Sequence, residues 1–372
     1  MNGAGLLLGA SVGCLLLSAG LASAAPALPS GGTVAAGSAS ISSSGASMTV
    51  SQSTPKAIID WSNFSIGQGG SVRFDNGSGA TLNRVTETSG SAIDGLLSGT
   101  GSVYLINPNG VIVGKTGVVN VGGTFAASTL DVPNANFLFG GDLTFSGPST
   151  ASVVNEGKVG ALGGDVVLIA SSVYNSGSLS APNGTVGLLA GQSVLLRDQA
   201  LDGGKFSVLV GGAGTSATNS GLIEAANAEL RANGGNVYAL AGNTVGVIKA
   251  NGVNQGDGHV WLVADGGALD VAGTITARGP NSSGGTIETS GADVKIGVSS
   301  IDAGVGGTWL VDPYDLTIDS AAANSISGAL NAGTNVTEQT TASGASGYGN
   351  QNPSGNGDIF VQAPISWSTP TT

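Results

Sequence analysis

Few side chains in this sequence could carry chemistry. His259, within Gly256-Asp257-Gly258-His259, is the single histidine, and a Ser-His-Asp arrangement would have to use it. It opens a short repeated segment whose matching positions read as Asp165, Thr185 and Asn236, so an imidazole at an ordinary repeat position is the simpler reading. The best acidic pair is Asp312 and Asp315, in Asp312-Pro313-Tyr314-Asp315. Two such carboxylates could work as acid and base on a glycan, and they read equally well as the two ends of a proline turn. Arg73, Arg84, Arg197, Arg231 and Arg278 are scattered without evident partners. No cluster has metal-ligand spacing, and no run matches an EF-hand or a calcium-binding nonapeptide. Gly304-Val305-Gly306-Gly307 lacks the strand–glycine–helix setting of a phosphate loop. These residues predict no enzyme and no cofactor. Trp61 with Phe64, and Phe137 with Phe139, could form a binding surface, but the simpler reading of Trp61 is an aromatic cap on the end of a β-structure.

The elements that would position these residues follow from composition. Glycine supplies 65 of 372 residues, well over twice the usual share of ~7%. Charged residues make up only 9% while hydrophobic ones reach 41%, which excludes charge-rich disorder. Glycine has no three-residue period, so collagen is excluded too. A formal charge of −12, with no basic patch, argues against nucleic-acid partners and against anionic membrane surfaces. What remains is a fold of many short strands and many tight turns.

The turns recur. Asn-x-Gly-x-[Val/Leu/Ile]-x-Ala occurs at Asn155 to Ala161, Asn175 to Ala181 and Asn219 to Ala225, and Val-x-[Leu/Ala]-x-Ala at Val166, Val186, Val237 and Val260. The spacings of 20 and 44, and of 20, 51 and 23, read as multiples of a unit of roughly 20 to 25 residues. In Val166-Val167-Leu168-Ile169-Ala170, residues Val166, Leu168 and Ala170 share one side. One five-residue strand cannot bury that side alone. Stacking coil upon coil closes a continuous core, and Gly and Asn supply the bends. The fold expected is all-β, a parallel β-helix (solenoid), about 75 Å long at ~4.8 Å per coil. No sustained helical stripe is visible. Polysaccharide lyases and glycosidases also use this fold, and an enzyme acting through Asp312 and Asp315 is therefore the rival reading.

Residues 1–24 read as a signal peptide. Leu6 to Leu21 form an apolar run ahead of Ala22-Ser23-Ala24, although no Lys or Arg precedes Lys56. Cys14, the single cysteine, lies inside that run, so the mature chain has no disulfide. The run is too short and too rich in glycine for a stable membrane insertion. Within the rod, Leu130 to Pro148 is expected to lie over the coils as an excursion. Gly307 to Ile318 reads as strand, proline turn and strand, Thr334 to Gly357 as an irregular loop, and Asp358 to Trp367 as the start of another coil. The chain is expected to be part of a longer protein.

The most specific segment runs from Leu105 to Asp131. Its Asn107-Pro108-Asn109-Gly110 turn lies between the β-prone Val103 to Ile106 and Val111 to Val113, and proline followed by Asn-Gly favours a tight reversal. Upstream come, in order, Trp61 to Phe64 (WSNF), Ser71 to Phe74 (SVRF), Leu82 to Thr86 (LNRVT) and Gly95 to Leu97. That series resembles the amino-terminal two-partner secretion domain of the filamentous haemagglutinin family, nearest to its high-molecular-weight adhesin branch. The resemblance implies a right-handed β-helix with short extra-helical strands and an amino-terminal cap. It implies a secretion (haemagglutination activity) domain over 25–270 and the beginning of a repetitive β-helical shaft over 271–372. It implies export through the periplasmic domains of an outer-membrane transporter in a Gram-negative bacterium. The product would be secreted or cell-surface associated, an adhesin or haemagglutinin with host or surface glycans and receptors as further partners. The residues it singles out for secretion are Asn107, Pro108, Asn109 and Gly110, with Asn83 and Arg84 beside them. The Asn-Pro-Asn-Leu motif that many members carry upstream is missing here. The stem of a contact-dependent toxin is a further alternative, its enzyme lying beyond residue 372.

Overall fold

A computed structural model describes residues 26–372 apart from 202, 241–245, 253–256, 280–282 and 341–354. The proposed signal peptide, residues 1–24, lies outside the described residues.

One coil shows how the sequence builds the rod. Ser91–Ile93, Leu96–Gly99 and Ser102–Ile106 are three short strands joined by tight corners. The next coil, with Val111–Val113, Val118–Val121 and Phe125–Ser128, lies on them strand for strand in parallel: Ile112 on Ala92, Asn120 on Ser98, Ala127 on Leu105. Repetition produces three parallel faces around one core. Along the first face an inward column runs Ile59, Asn83, Leu105, Ala127, Leu168, Leu188, Leu230 and Leu262, so like residues stack on like and exclude water. Some corners leave no room for a side chain: a Cβ on Gly117 would stand 2.0 Å from the carbonyl oxygen of Ile93 in the coil below. The Asn-x-Gly repeat is an internal amide ladder. Asn155 Nδ2 donates to Asn175 Oδ1 and Asn175 Nδ2 to Asn219 Oδ1, each at 2.7 Å, and all three are buried.

At the amino-terminal end the pairing turns antiparallel. Thr33–Ala36 pairs with Lys56–Trp61, and Ala39–Ser44 forms a hairpin with Ser47–Gln52. Trp61 lies inside the core beneath this cap, edge-on to Phe64 at 5.4 Å. It is a core residue of the first coils and not an exposed surface.

The Leu130 to Pro148 excursion does cover the rod. It holds a short helix, α1 (Asn134–Phe139), and the strand Leu143–Ser146. That strand pairs antiparallel with Ser193–Leu201, which pairs with Gly204–Val210. A second core forms between this lateral sheet and the outward side of the first face, with Ile58, Leu82, Ile106, Phe137, Phe145 and Phe206 among its members. Phe137 is buried there while Phe139 is 91% exposed.

Several expectations are corrected. The spacing of 44 is a single coil step, because Asn175 stacks directly on Asn219 and the extra residues form the second excursion. Val237 does not belong to the Val166 column: Val186 stacks on Ala228, which stacks on Val260, whereas Val237 lies on another face against Ala217 and Leu269. His259 accordingly follows Thr185 and Asn227, not Asn236. Excursions and cap consume chain, so the rod is shorter than expected. Ten successive pairings link the first face from Lys56–Trp61 to Asn335–Glu338, about 50 Å at ~4.8 Å per step.

Near the carboxyl end a real helix appears, α2 (Ser320–Asn331), capped by Asp319, whose side chain accepts from the N–H groups of Ala321 and Ala322. Its buried stripe of Ala322, Ala323, Ile326, Ala329 and Leu330 is helical in period, but its small residues gave a weak hydrophobic signal. Thr308–Asp312 and Leu316–Ile318 are the two strands expected around the proline turn. Asn335–Glu338, expected to be loop, is a strand stacked on Thr308–Asp312. Most of that expected loop, residues 341–354, lies outside the described residues. Ile359–Val361 pairs in parallel with Leu316–Ile318.

Candidate functional site

The Asn-Pro-Asn-Gly turn is a corner and not a hairpin. The N–H of Gly110 donates to the carbonyl of Asn107 at 3.0 Å, closing the turn, yet the flanking strands do not pair with each other. Ser102–Ile106 stacks on the first face, and Val111–Val113 on the second. The expected reversal is therefore a change of face, because each strand finds its partners in neighbouring coils. Gly110 adopts φ 107°, a region that L side chains rarely enter.

Asn107 is the pin of this corner and is fully buried. Its Nδ2 donates to the Ser89 carbonyl and to Ser91 Oγ, both at 2.9 Å. Its Oδ1 accepts from the backbone N–H of Asn109 at 2.9 Å and from Asn109 Nδ2 at 3.2 Å. Pro108 and Asn109 point to solvent. Asn109 Nδ2 reaches the Glu87 carbonyl at 2.9 Å, and the Pro108 carbonyl accepts from Ser149 Oγ at 2.6 Å. The corner thus ties the coil below to the one above. Beside it runs a shallow groove of about 330 Å³, lined by Ser91, Ala92, Asn109, Ile112, Ser152 and Val154 among others.

Asn83 and Arg84 sit on the adjacent rung, Arg84 opposite Ile106. Asn83 is fully buried and accepts the indole N–H of Trp61 at 3.0 Å while donating to the Tyr104 carbonyl at 3.2 Å. A similar device serves Trp309, whose indole N–H donates to Thr289 Oγ1 in the neighbouring coil at 3.0 Å. Arg84 points outward and grips the first excursion. It forms a two-pronged contact with Asp131 at 2.8 and 3.0 Å, reaches the Val132 carbonyl, and has Asp60 at 3.5 Å. Burial opposes the guanidinium charge, but the hydrogen bond to Asp131 and the charges of Asp131 and Asp60 outweigh it, so its pKa rises above the usual value. The structure brings the two predicted segments side by side.

The candidate catalytic residues are held in structural contacts. The His259 ring stacks on Trp261 at 4.6 Å, and burial lowers its pKa against the opposing pull of Asp257. Asp315 accepts the backbone N–H groups of Asn356, Gly357 and Asp358 at 2.8 to 3.0 Å, bonds that hold its carboxyl below the usual range. Asp312 Oδ2 accepts from Gln339 Nε2 at 2.9 Å. Among the described residues no group of three His, Cys, Asp or Glu side chains is placed to hold a metal ion, and no helix is long and apolar enough to cross a membrane.

One cluster escaped sequence reasoning. Glu229, fully buried on the outward side of the first face, accepts from the N–H groups of Lys205 and Phe206 at 2.6 and 3.1 Å and from Arg231 Nε at 2.8 Å. Lys205 Nζ reaches Asp165 Oδ2 at 2.6 Å. These contacts clamp the second excursion to the coils. The available signal was a glutamate between two apolar residues in Ala228-Glu229-Leu230, at a position whose ladder neighbour is Gly187.

Comparison with known proteins places this architecture. A family model described as the TPS secretion domain matches residues 25–277. Among curated proteins the chain is similar to the heme/hemopexin-binding protein of Haemophilus influenzae strain Rd, 38% identical over 164 residues, which is 42% of this chain and 18% of that protein. A second Haemophilus influenzae heme/hemopexin-binding protein is 43% identical over 83 residues, 22% of this chain and 9% of that one. The matched segments thus span less than a fifth of these relatives. Among solved structures, the HMW1 secretion domain from Haemophilus influenzae superposes with a TM-score of 0.63 at 24% identity, covering 90% of this chain and 100% of that one. The filamentous hemagglutinin secretion domain gives 0.43 at 15% identity, covering 90% and 99%.

Proposed function

The chain belongs to the TPS secretion domain family, the export domains of two-partner-secreted exoproteins, and from that premise we propose how its residues divide the work of export. Its partner is an outer-membrane transporter of the two-partner type, and it is a secreted protein. In our reading residues 1–24 are removed as a signal peptide, and residues 25–270 engage the periplasmic domains of the transporter. Residues from 271 onward begin the shaft. Position 270 lies inside the strand His259–Ala277, which pairs in parallel with Thr286–Asp302 on both sides of it, so export module and shaft share one folding mode.

Of the six candidate recognition residues, Pro108 and Asn109 are the ones we assign to transporter contact. The observation that carries this is their exposure on a corner whose conformation is held from beneath by buried Asn107. Asn107 and Gly110 shape the corner. Asn83 and Arg84 act through the fold, the first by holding Trp61 and the second by holding the excursion. The exported protein serves as an adhesin or haemagglutinin in this reading. Reading Asp312 and Asp315 as an acid–base pair is disfavoured, since three backbone N–H groups converge on Asp315 Oδ1 and tie it to the turn at Asn356 to Asp358.

The test is release into culture medium with and without the cognate transporter. Release is expected only with it. Release without any transporter, or none in its presence, refutes the export reading.

A further inference from the structure

The second face of the rod, where Val111–Val113 and its successors stack, bears two outward columns. One runs Ser152, Ser172, Ser216, Asn236, and the other Ile112, Val154, Tyr174, Thr218, Tyr238. Both point away from the core, because the residues between them, Val153, Val173, Ala217 and Val237, are buried. The first column presents hydroxyls and an amide, with Ser172 and Ser216 hydroxyls 3.1 Å apart. The second presents apolar and aromatic groups: Ile112 is 47% and Tyr174 37% exposed. The lateral sheet covers the first face and leaves this one open.

Three properties of the surface bear on what fits it. First, neither column holds a charged side chain until Asp270 follows Tyr238, although the whole chain carries −12. A polyanion would be repelled with no cation in either column to offset the repulsion, so the complementary partner is uncharged. Second, both phenols are tied down. Tyr174 Oη lies 3.0 Å from Ser220 Oγ, and Tyr238 Oη accepts from Asn236 Nδ2 at 3.0 Å. These bonds fix the rings at low entropic cost to binding. Third, Tyr174 and Tyr238 are two ladder steps apart with Thr218 between. That is about 10 Å at ~4.8 Å per step, comparable with the length of one disaccharide unit in an extended glycan.

We propose that this face binds a neutral, extended, β-1,4-linked glycan lying along the rod axis. Alternate sugar rings would rest their C–H faces on Tyr174 and Tyr238, and their hydroxyls would exchange hydrogen bonds with the Ser172 and Ser216 hydroxyls, while Asn236, held by Tyr238 Oη and the Ala268 N–H, keeps the Tyr238 ring in place. The assignment goes beyond the export role and does not depend on it: binding is read on the purified chain, whereas export is read in the medium.

The experiment is calorimetric titration of the purified chain with cellohexaose and chitohexaose, and with an oligogalacturonate of equal length as the anionic counterpart. At least one neutral hexasaccharide is expected to bind saturably, and the oligogalacturonate to bind at least tenfold more weakly. Tyr174→Ala and Tyr238→Ala are each expected to weaken binding about tenfold, while Tyr174→Phe, which keeps the ring, retains it. Unchanged far-UV circular dichroism in each variant shows that the rod is intact. Absence of binding by both neutral probes at millimolar concentration, equal binding of the oligogalacturonate, or parental affinity in both alanine variants would overturn the assignment.

Discussion

Asn107 and Asn109 stand two residues apart in the same corner, and the structure predicts opposite consequences for removing them. Asn107→Ala deletes two inward hydrogen bonds, to the Ser89 carbonyl and to Ser91 Oγ, and two outward ones, to the backbone and side chain of Asn109. Each bond contributes about 1 kcal/mol net, and a buried partner left unpaired costs about 1–3 kcal/mol. The donors on Asn109 are exposed and regain water, whereas Ser91 is 3% exposed and does not. The expected loss is therefore about 2–4 kcal/mol, concentrated in the coils joined at this corner. Asn109→Ala removes one solvent-facing bond to Glu87 and one to a carboxamide that keeps its other partners, so it should cost under about 1 kcal/mol. Stacked coils open locally, so the assay is hydrogen exchange across Ser102 to Val113 beside urea unfolding followed by circular dichroism. Release into the medium with the transporter is measured on the same variants. Asn107→Ala should lose protection across this segment, and Asn109→Ala should keep it while losing release. Equal protection in the two variants refutes the hydrogen-bond reasoning. Parental release by both Asn109→Ala and Pro108→Ala refutes the assignment of transporter contact to the exposed pair.

Three further outcomes are expected. Burial, reinforced by Asp165 and Asp198, pushes the Tyr104 phenol up to about 12. Below its ordinary value near 10 it is protonated in both states, and between 10 and 12 only the unfolded chain loses the proton. Stability should therefore fall as pH rises through that window, by up to about 3 kcal/mol, and urea midpoints of Tyr104→Phe should lack this component. Glu229→Ala strips the acceptor from two backbone N–H groups and leaves Arg231 without its carboxylate. A loss of about 3–5 kcal/mol is expected, read as rapid proteolytic cleavage within Ser193 to Val210 while the coils keep their circular dichroism; an uncut excursion would contradict it. Gly117→Ala drives a methyl to 2.0 Å from a rigid backbone oxygen, whereas at Gly160 the nearest atom is 3.9 Å away. The first should cost about 2 kcal/mol or more and the second almost nothing, and equal urea midpoints would show that the coils give more than the packing suggests.

The division between what the chain alone determines and what the fold decides follows the range of the interactions. Alternating Val166, Leu168 and Ala170, the Asn-x-Gly corners and the Asn107 to Gly110 turn are local, and they specify short strands, tight corners and hence stacked coils. A two-residue alternation and a glycine or asparagine bend require nothing beyond their neighbours. Which coil lies on which is a different matter. Asn175 on Asn219 and Val186 on Ala228 are consecutive rungs because a segment of the chain leaves the rod between them, and sequence spacing does not distinguish a looped-out segment from a degenerate coil. The same limit hid the lateral sheet, whose strands Leu143–Ser146 and Ser193–Leu201 meet only when the rod brings them together. It also hid Glu229, an isolated carboxylate until the start of the strand Gly204–Val210 is folded onto it. Helix α2 was missed for a further reason: alanines form its stripe, and their burial becomes favourable only against the core that the coils supply. For Asn83, Arg84 and Asn107 the sequence marks the positions as unusual. Only tertiary packing decides that two of them face inward to satisfy buried partners and the third faces outward to hold an excursion, because the face a strand residue occupies depends on the register of its neighbours.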